Sequence, residues 1–137
     1  MESGDKTMAR QNVFILEDDY NRLDFFKDKL KDTYYKIFHA DNVEEAKLLF
    51  LSNNFYDAIF LDHDLGNQTF VDSSEKNTGY QFAKFIKSLY ASKEFSYNKI
   101  IIHSMNPTGS QNIKRELDGL KNVMQIPYSE LKKILKG

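Results

Sequence analysis

The chain has no cysteine in its 137 residues. Disulfides and thiolate metal sites are therefore excluded, and an intracellular, cytoplasmic setting is the expectation. Long apolar stretches are missing too. The longest runs reach about five or six residues, against the roughly 20 that a membrane-spanning helix needs. The opening residues, MESGDKTMARQN, are polar and contain nothing like the apolar segment of a secretory leader. Residues 1–11 are expected to form a flexible arm ahead of a single domain over 12–137. Neither sign of charge dominates: 19 Lys+Arg stand against 20 Asp+Glu, for a net charge of −1. That balance gives no broad attraction to a membrane surface or to duplex DNA. No internal repeat and no low-complexity tract interrupts the chain.

What is present is enough to build a core: 41% hydrophobic residues and 14% aromatics, including eleven Phe and eight Tyr. Five short apolar runs recur, at Asn12–Leu16, Tyr35–Ala40, Asp57–Asp62, Lys99–Ser104 and Val123–Pro127. Most are continuous rather than alternating, as in strands covered on both faces of a parallel sheet. Between them lie stretches with helical spacing. Leu23, Phe26 and Leu30 recur on one side, with Asp19 placed to cap. Val43, Ala46, Leu49 and Phe50 form a second face, and Phe82, Phe85, Ile86 and Leu89 a third at i, i+3, i+4 and i+7. Ile113, Leu117 and Leu120 mark a fourth helix, and Leu131, Ile134 and Leu135 a fifth. Strand and helix alternate throughout, which predicts an α/β fold: a doubly wound, five-stranded parallel sheet with helices on both faces.

Such a sheet places its site at the carboxyl ends of the strands. The first strand ends in Glu17-Asp18-Asp19, the third in Asp62-His63-Asp64 and the fourth in His103-Ser104-Met105-Asn106. Glu17, Asp18 and Asp62 are expected to converge. Three neighbouring carboxylates resist ionising together unless a cation neutralises them. Oxygen donors favour Mg²⁺, with Mn²⁺ as the second candidate. The plainer reading is that these acids cap the next helix. His63 and His103 end two strands that should be neighbours. They are either part-buried imidazoles bonded to backbone, or a base and an acid acting on a phosphoester. Asp64 either fixes an imidazole tautomer or joins the metal. His39, at the end of the second strand, has no assigned role.

The stretch HSMNPTGSQNI, His103–Ile113, supplies the other half of the expected site. Asn106-Pro107 reads as a turn and Thr108 as an N-cap, while Gly109 lets a ligand approach the backbone. Free N–H groups at a helix start bind anions, and Ser104 and Asn106 can add hydrogen bonds to a phosphate. The plain alternative is an ordinary capped helix. GNQTFVDSSEKNT, from Gly66 to Thr78, has no periodicity, and a loop of that length reads as a lid or as a mobile segment.

FILEDD followed by Asp62 resembles the receiver domains of response regulators over nearly the whole chain. The resemblance implies the flavodoxin-like strand order 2-1-3-4-5. It makes Glu17 and Asp18 metal carboxylates, Asp62 the phosphoacceptor position and Ser104 the switch position. The lysine that this family carries before the last proline is replaced by Ile126, ahead of Pro127. LDHDLG together with HSMNPTGSQNI resembles a narrower branch, the cyclic-phosphate-processing receiver domains. That resemblance implies a metal-dependent phosphodiesterase-like enzyme acting on a cyclic nucleotide or an RNA-end 2′,3′-cyclic phosphate. It also implies a role in phosphate chemistry for His63 and His103. Taken with the residue reading, His63, His103 and Asp62 are expected to be catalytic, Glu17, Asp18, Asp62 and Asp64 to hold the metal, and Ser104, Asn106 and Gly109 to hold phosphate. The expected partner is thus a phosphate-bearing small molecule or an RNA terminus. The alternative is a stand-alone receiver or pseudo-receiver that signals through Asp62 phosphorylation or by docking to a protein partner.

Overall fold

The structure is a computed structural model that describes residues 9–66 and 68–135. Its elements run β1 (Gln11–Leu16), α1 (Tyr20–Lys29), β2 (Tyr35–Ala40), α2 (Val43–Phe50), β3 (Phe55–Leu61), α3 (Gly79–Ala91), β4 (Ser96–Ile102), α4 (Pro107–Glu116), β5 (Val123–Gln125) and α5 (Tyr128–Ile134). The five strands form one parallel sheet in the order β2-β1-β3-β4-β5. Strand order reverses beside β1, so the ends of β1, β3 and β4 border one crevice.

The continuous apolar runs are explained by two cores. Phe14 and Leu16 of β1, Ile59 and Leu61 of β3, and Ile100 and Ile102 of β4 face α2, α3 and α4. Val13 and Ile15, Ala58 and Phe60, and Ile101 face α1 and α5, where Phe26 and Leu131 meet them. Alternate residues in the central parts of β1, β3 and β4 thus serve opposite layers, and those positions are buried on both faces. Side-chain caps start the helices: Asp19 for α1, Asn42 for α2 and Thr78 for α3.

Several boundaries differ from the sequence reading. β3 begins at Phe55 and β4 at Ser96, because backbone pairing continues through Phe55 and Tyr56 on one strand and Ser96 and Tyr97 on the other, outside the apolar runs read from the sequence. Most of the expected N-terminal arm, residues 1–8, lies outside the described residues. Gln11 already belongs to β1, and Arg10 reaches the Asp32 carbonyl at 3.3 Å. In α5, Leu131 is buried but Ile134 is 59% exposed, so the expected apolar face is narrower. Among the described residues no helix is long and apolar enough to cross a membrane.

Candidate active site

Three strands, in register, build the site. Ile15 of β1 lies beside Phe60 of β3, and Phe60 beside Ile101 of β4. All three point toward α1 and α5. Two residues further on in each chain stand Glu17, Asp62 and His103. Side chains alternate along extended backbone, so this triplet continues an apolar row. It is as buried as the row itself: Glu17 is 1%, Asp62 2% and His103 0% exposed. One ligand atom from each lies within 4.8 Å of the others.

Within this cluster, His103 Nε2 is 2.7 Å from Glu17 Oε1. Glu17 Oε2 accepts the Asp19 N–H at 3.0 Å, and Asp62 Oδ1 accepts the His63 N–H at 2.8 Å. Burial dominates the proton equilibria. It pushes Glu17 up to about 7 and Asp62 up to about 7, and it holds His103 down to about 4. Removing charge from water disfavours the ionised form of each group. Between about pH 4 and 7, therefore, Glu17 is mostly protonated and His103 neutral, so the carboxyl donates to Nε2. His103 Nδ1 finds no hydrogen-bond partner among the described residues. The Phe26 ring packs against the imidazole at 5.3 Å. His39, unassigned from sequence, donates from Nε2 to the Glu17 carbonyl at 2.8 Å and so anchors the end of β1.

Asp62 alone of the cluster lines a cleft of about 440 Å³, together with Asp18, Asp19, Arg22, Asp64 and Ser104. Arg22 stands over the Tyr128 ring at 5.1 Å. The cleft mouth is apolar: Phe70, Tyr20 and Met105 line it and are 74%, 59% and 45% exposed.

Asp18, Asp62 and Ser104 thus face one cleft, as the sequence suggested. His63 does not join them. It follows Leu61 on the opposite side of β3 and lies buried under the start of α4. Its Nδ1 is 2.8 Å from Asp64 Oδ1 and its Nε2 2.8 Å from Ser73 Oγ. Asp64 is not free to hold a metal through its carboxylate. Oδ2 accepts the Phe70 N–H at 2.6 Å, while Oδ1 accepts the Val71 N–H at 3.2 Å, Asn106 Nδ2 at 3.0 Å and the imidazole. Burial alone raises the Asp64 pKa, but these donors together bring it below the usual value. The carboxylate fixes the His63 tautomer and pins the loop after Gly66.

Asn106 also departs from its expected role. It, not Thr108, is the N-cap of α4, with Oδ1 accepting the Gly109 N–H at 2.9 Å. Its amide is consumed by Asp64, so neither Asn106 nor the Gly109 N–H is left for a phosphate. Gly109 has a different task. A Cβ there would collide with the His63 ring. Ser104 Oγ accepts the Asn106 N–H at 3.0 Å, which leaves its own proton to donate. Sequence reasoning missed Gly79, whose N–H reaches the His63 carbonyl at 2.9 Å. A Cβ at Gly79 would overlap the Asp62 carbonyl, so only glycine lets α3 start against the strand end. Ser73 was missed as well, because nothing in an aperiodic loop marks which hydroxyl turns inward.

The sequence model of a family described as "Cyclic-phosphate processing Receiver domain" matches residues 13–119. A search among curated proteins returned no match. Solved structures with similar folds include the chemotaxis protein CheY4 of Vibrio cholerae. It is 18% identical, with 93% of this chain and 97% of that one covered, at a TM-score of 0.63. The signal receiver domain of an HD domain-containing protein from Pseudomonas fluorescens Pf-5 is 14% identical, with 93% and 89% covered, at 0.66. A response regulator from Burkholderia pseudomallei, solved with a phosphorylated aspartic acid, calcium ion and citrate, is 16% identical, with 92% and 66% covered, at 0.61. At such identities the likeness establishes the fold.

Proposed function

The chain belongs to the cyclic-phosphate processing receiver domains, and from that premise we propose that the Asp62 cleft opens a cyclic phosphate by hydrolysis. The substrate is a cyclic nucleotide or a 2′,3′-cyclic phosphate at an RNA end. One observation carries the reading: a buried Glu17–His103 pair, 2.7 Å apart, backs a carboxyl whose pKa burial lifts to about 7. A group balanced near neutral pH is suited to move protons in both directions.

Asp62 takes the proton of an attacking water, whose oxygen bonds to phosphorus. The ring P–O bond breaks, and the leaving oxygen recovers that proton. The product is a phosphomonoester next to a free hydroxyl. Ser104 donates its hydroxyl to a phosphoryl oxygen. The exposed Phe70 and Tyr20 rings at the mouth suit the flat face of a nucleobase.

Asp18, Asp19, Asp62 and Asp64 outnumber Arg22 in the cleft lining, so a phosphate anion meets repulsion there. The donor set fits a divalent cation, which relieves both that repulsion and the strain of two buried carboxyls. Glu17, Asp62 and His103 would hold it, with Asp18 at the mouth, and the imidazole nitrogen suits Mn²⁺ better than Mg²⁺. Held there, such an ion would supply Lewis-acid polarisation of a phosphoryl oxygen.

The test is to follow 2′,3′-cyclic nucleotides and cyclic-phosphate RNA ends by ³¹P NMR with Mn²⁺ or Mg²⁺. Ring opening is expected, and Asp62→Asn should slow it by about a hundredfold or more. A cyclic phosphate left intact with both metals overturns the reading. A second reading, phosphorylation of Asp62, draws on the phosphorylated aspartic acid in the Burkholderia pseudomallei neighbour. Here, however, Ile126 packs half-buried on the α1/α5 core where receivers carry lysine. Stable labelling of Asp62 by acetyl phosphate would favour that second reading.

A further inference from the structure

His63 stays outside the Glu17–Asp62–His103 cluster, yet it is fully buried and both of its ring nitrogens are engaged. Its network has a direction. The Asp64 carboxylate can only accept, so His63 Nδ1 carries the proton and donates to it. Nε2 of the neutral ring is then an acceptor, and the group facing it is the Ser73 hydroxyl, at 2.8 Å. Ser73 Oγ in turn accepts from Asn112 Nδ2 at 2.9 Å. The orientation of that amide is set from outside, because Arg115 Nη1 donates to Asn112 Oδ1 at 3.1 Å. Every proton in the chain Asn112, Ser73, His63, Asp64 therefore points one way. The hydroxyl proton of Ser73 is aimed at an imidazole whose far side is fixed by a carboxylate.

Three elements of the chain meet here. His63 ends β3, Asn112 lies in α4, and Ser73 sits in the loop between β3 and α3. That loop is held from behind by Asp64, which accepts from Phe70 and Val71, and from in front by Gln81 Nε2 on the Ser73 carbonyl at 2.9 Å. Ser73 is only 8% exposed, and what it shows faces a cleft. This separate cleft, of about 360 Å³, lies on the α3–α4 surface and is also lined by Lys87, Asn112 and Arg115.

We propose that Ser73 is a nucleophile, activated by His63 and oriented through Asp64, in a second site that takes a small carboxylic ester bearing a negative charge. Lys87 and Arg115 outnumber Glu116 in the lining of its cleft and supply the attraction for that charge. Ser73 Oγ bonds to the acyl carbon as its proton passes to His63 Nε2. The ester C–O bond breaks, and the departing alkoxide takes that proton. Water repeats the sequence, releases the carboxylic acid and restores the serine. The site does not rest on the cyclic-phosphate reading, since it shares neither Asp62 nor Glu17.

The competing explanation is a clasp that only pins the loop. A fluorophosphonate probe separates the two, because it phosphonylates activated serines whatever their natural substrate. On the intact wild-type chain, mass spectrometry should show one adduct, mapped to Ser73. Asp64→Asn should label about a hundredfold more slowly or worse. Mono-p-nitrophenyl glutarate should be cleaved about tenfold faster than neutral p-nitrophenyl valerate, a preference that Arg115→Gln removes. No adduct on the wild-type chain, or an adduct at another residue, overturns the proposal. So does ester cleavage that survives Ser73→Ala, with circular dichroism confirming that the variant is folded.

Discussion

Glu17→Gln isolates the cost of burying an acid beside His103. The amide keeps the shape of the protonated carboxyl. Its oxygen can accept the Asp19 N–H and its nitrogen can donate to His103 Nε2, so both bonds of the native side chain persist. What disappears is the titration. The Glu17 pKa stands at about 7 in the folded chain against 4.5 for a free side chain. A carboxyl raised on folding binds its proton more tightly in the native state. Its contribution is therefore fully present below the unfolded pKa and is lost as pH rises through the folded one. At about 1.4 kcal/mol per pH unit, the gap amounts to about 3 kcal/mol once both states are ionised. Wild type and Glu17→Gln should then melt within a few degrees of each other near pH 5. Toward pH 8.5 the variant should lead by roughly 10 °C, at about 4 °C per kcal/mol for a chain of this size. The assay is thermal unfolding followed by circular dichroism across that range, in the presence of a chelator. A melting difference that does not grow with pH would refute the reasoning, because it would mean that the Glu17 carboxyl is not desolvated.

Gly79→Ala should be among the most damaging single changes, at about 3 kcal/mol or more by urea unfolding, because its Cβ would overlap the Asp62 carbonyl. Asn106→Ala removes the α4 cap and one donor to Asp64, and should cost about 1–2 kcal/mol in the same assay. Phe70→Ala removes a ring from the cleft mouth without touching the buried cluster. It should raise KM for base-bearing cyclic phosphates about tenfold while leaving that for ribose 2′,3′-cyclic phosphate unchanged, by about 1–3 kcal/mol of lost stacking.

Much of the architecture was legible because burial on both faces leaves a signature that local chemistry cannot imitate. The Ile and Phe of β1, β3 and β4 could only be covered from two sides, and Asp19 could only be a cap. Convergence of Glu17 with Asp62 was expected from strand order, but with Asp18 as the third carboxylate, where the structure has His103. His63 was expected beside Asp62 in one site, and the alternation of extended chain is why it lies elsewhere: neighbours point to opposite faces. Other features needed the tertiary structure. Asn106 and Thr108 are both good caps, and Pro107 at the first helical position decides for Asn106. The pairing of Glu17 with His103, and of His63 with Ser73, depends on how two loops settle against the sheet. Proton affinities near 7 for two carboxyls depend on burial, which no residue type reveals by itself.

Because the acid cluster extends rows of core side chains, it is dry in the way a core is dry. Apart from a cation that the three side chains themselves would hold, dissolved ions do not enter between Glu17, Asp62 and His103, which are at most 2% exposed. Raising ionic strength shortens the reach of the exposed charges at the rim, Asp19 and Arg22 among them, to about 3 Å at molar salt. It leaves the interior nearly untouched. Capture of a charged ligand and the proton chemistry beneath it should therefore respond differently to salt, the first weakening and the second holding constant.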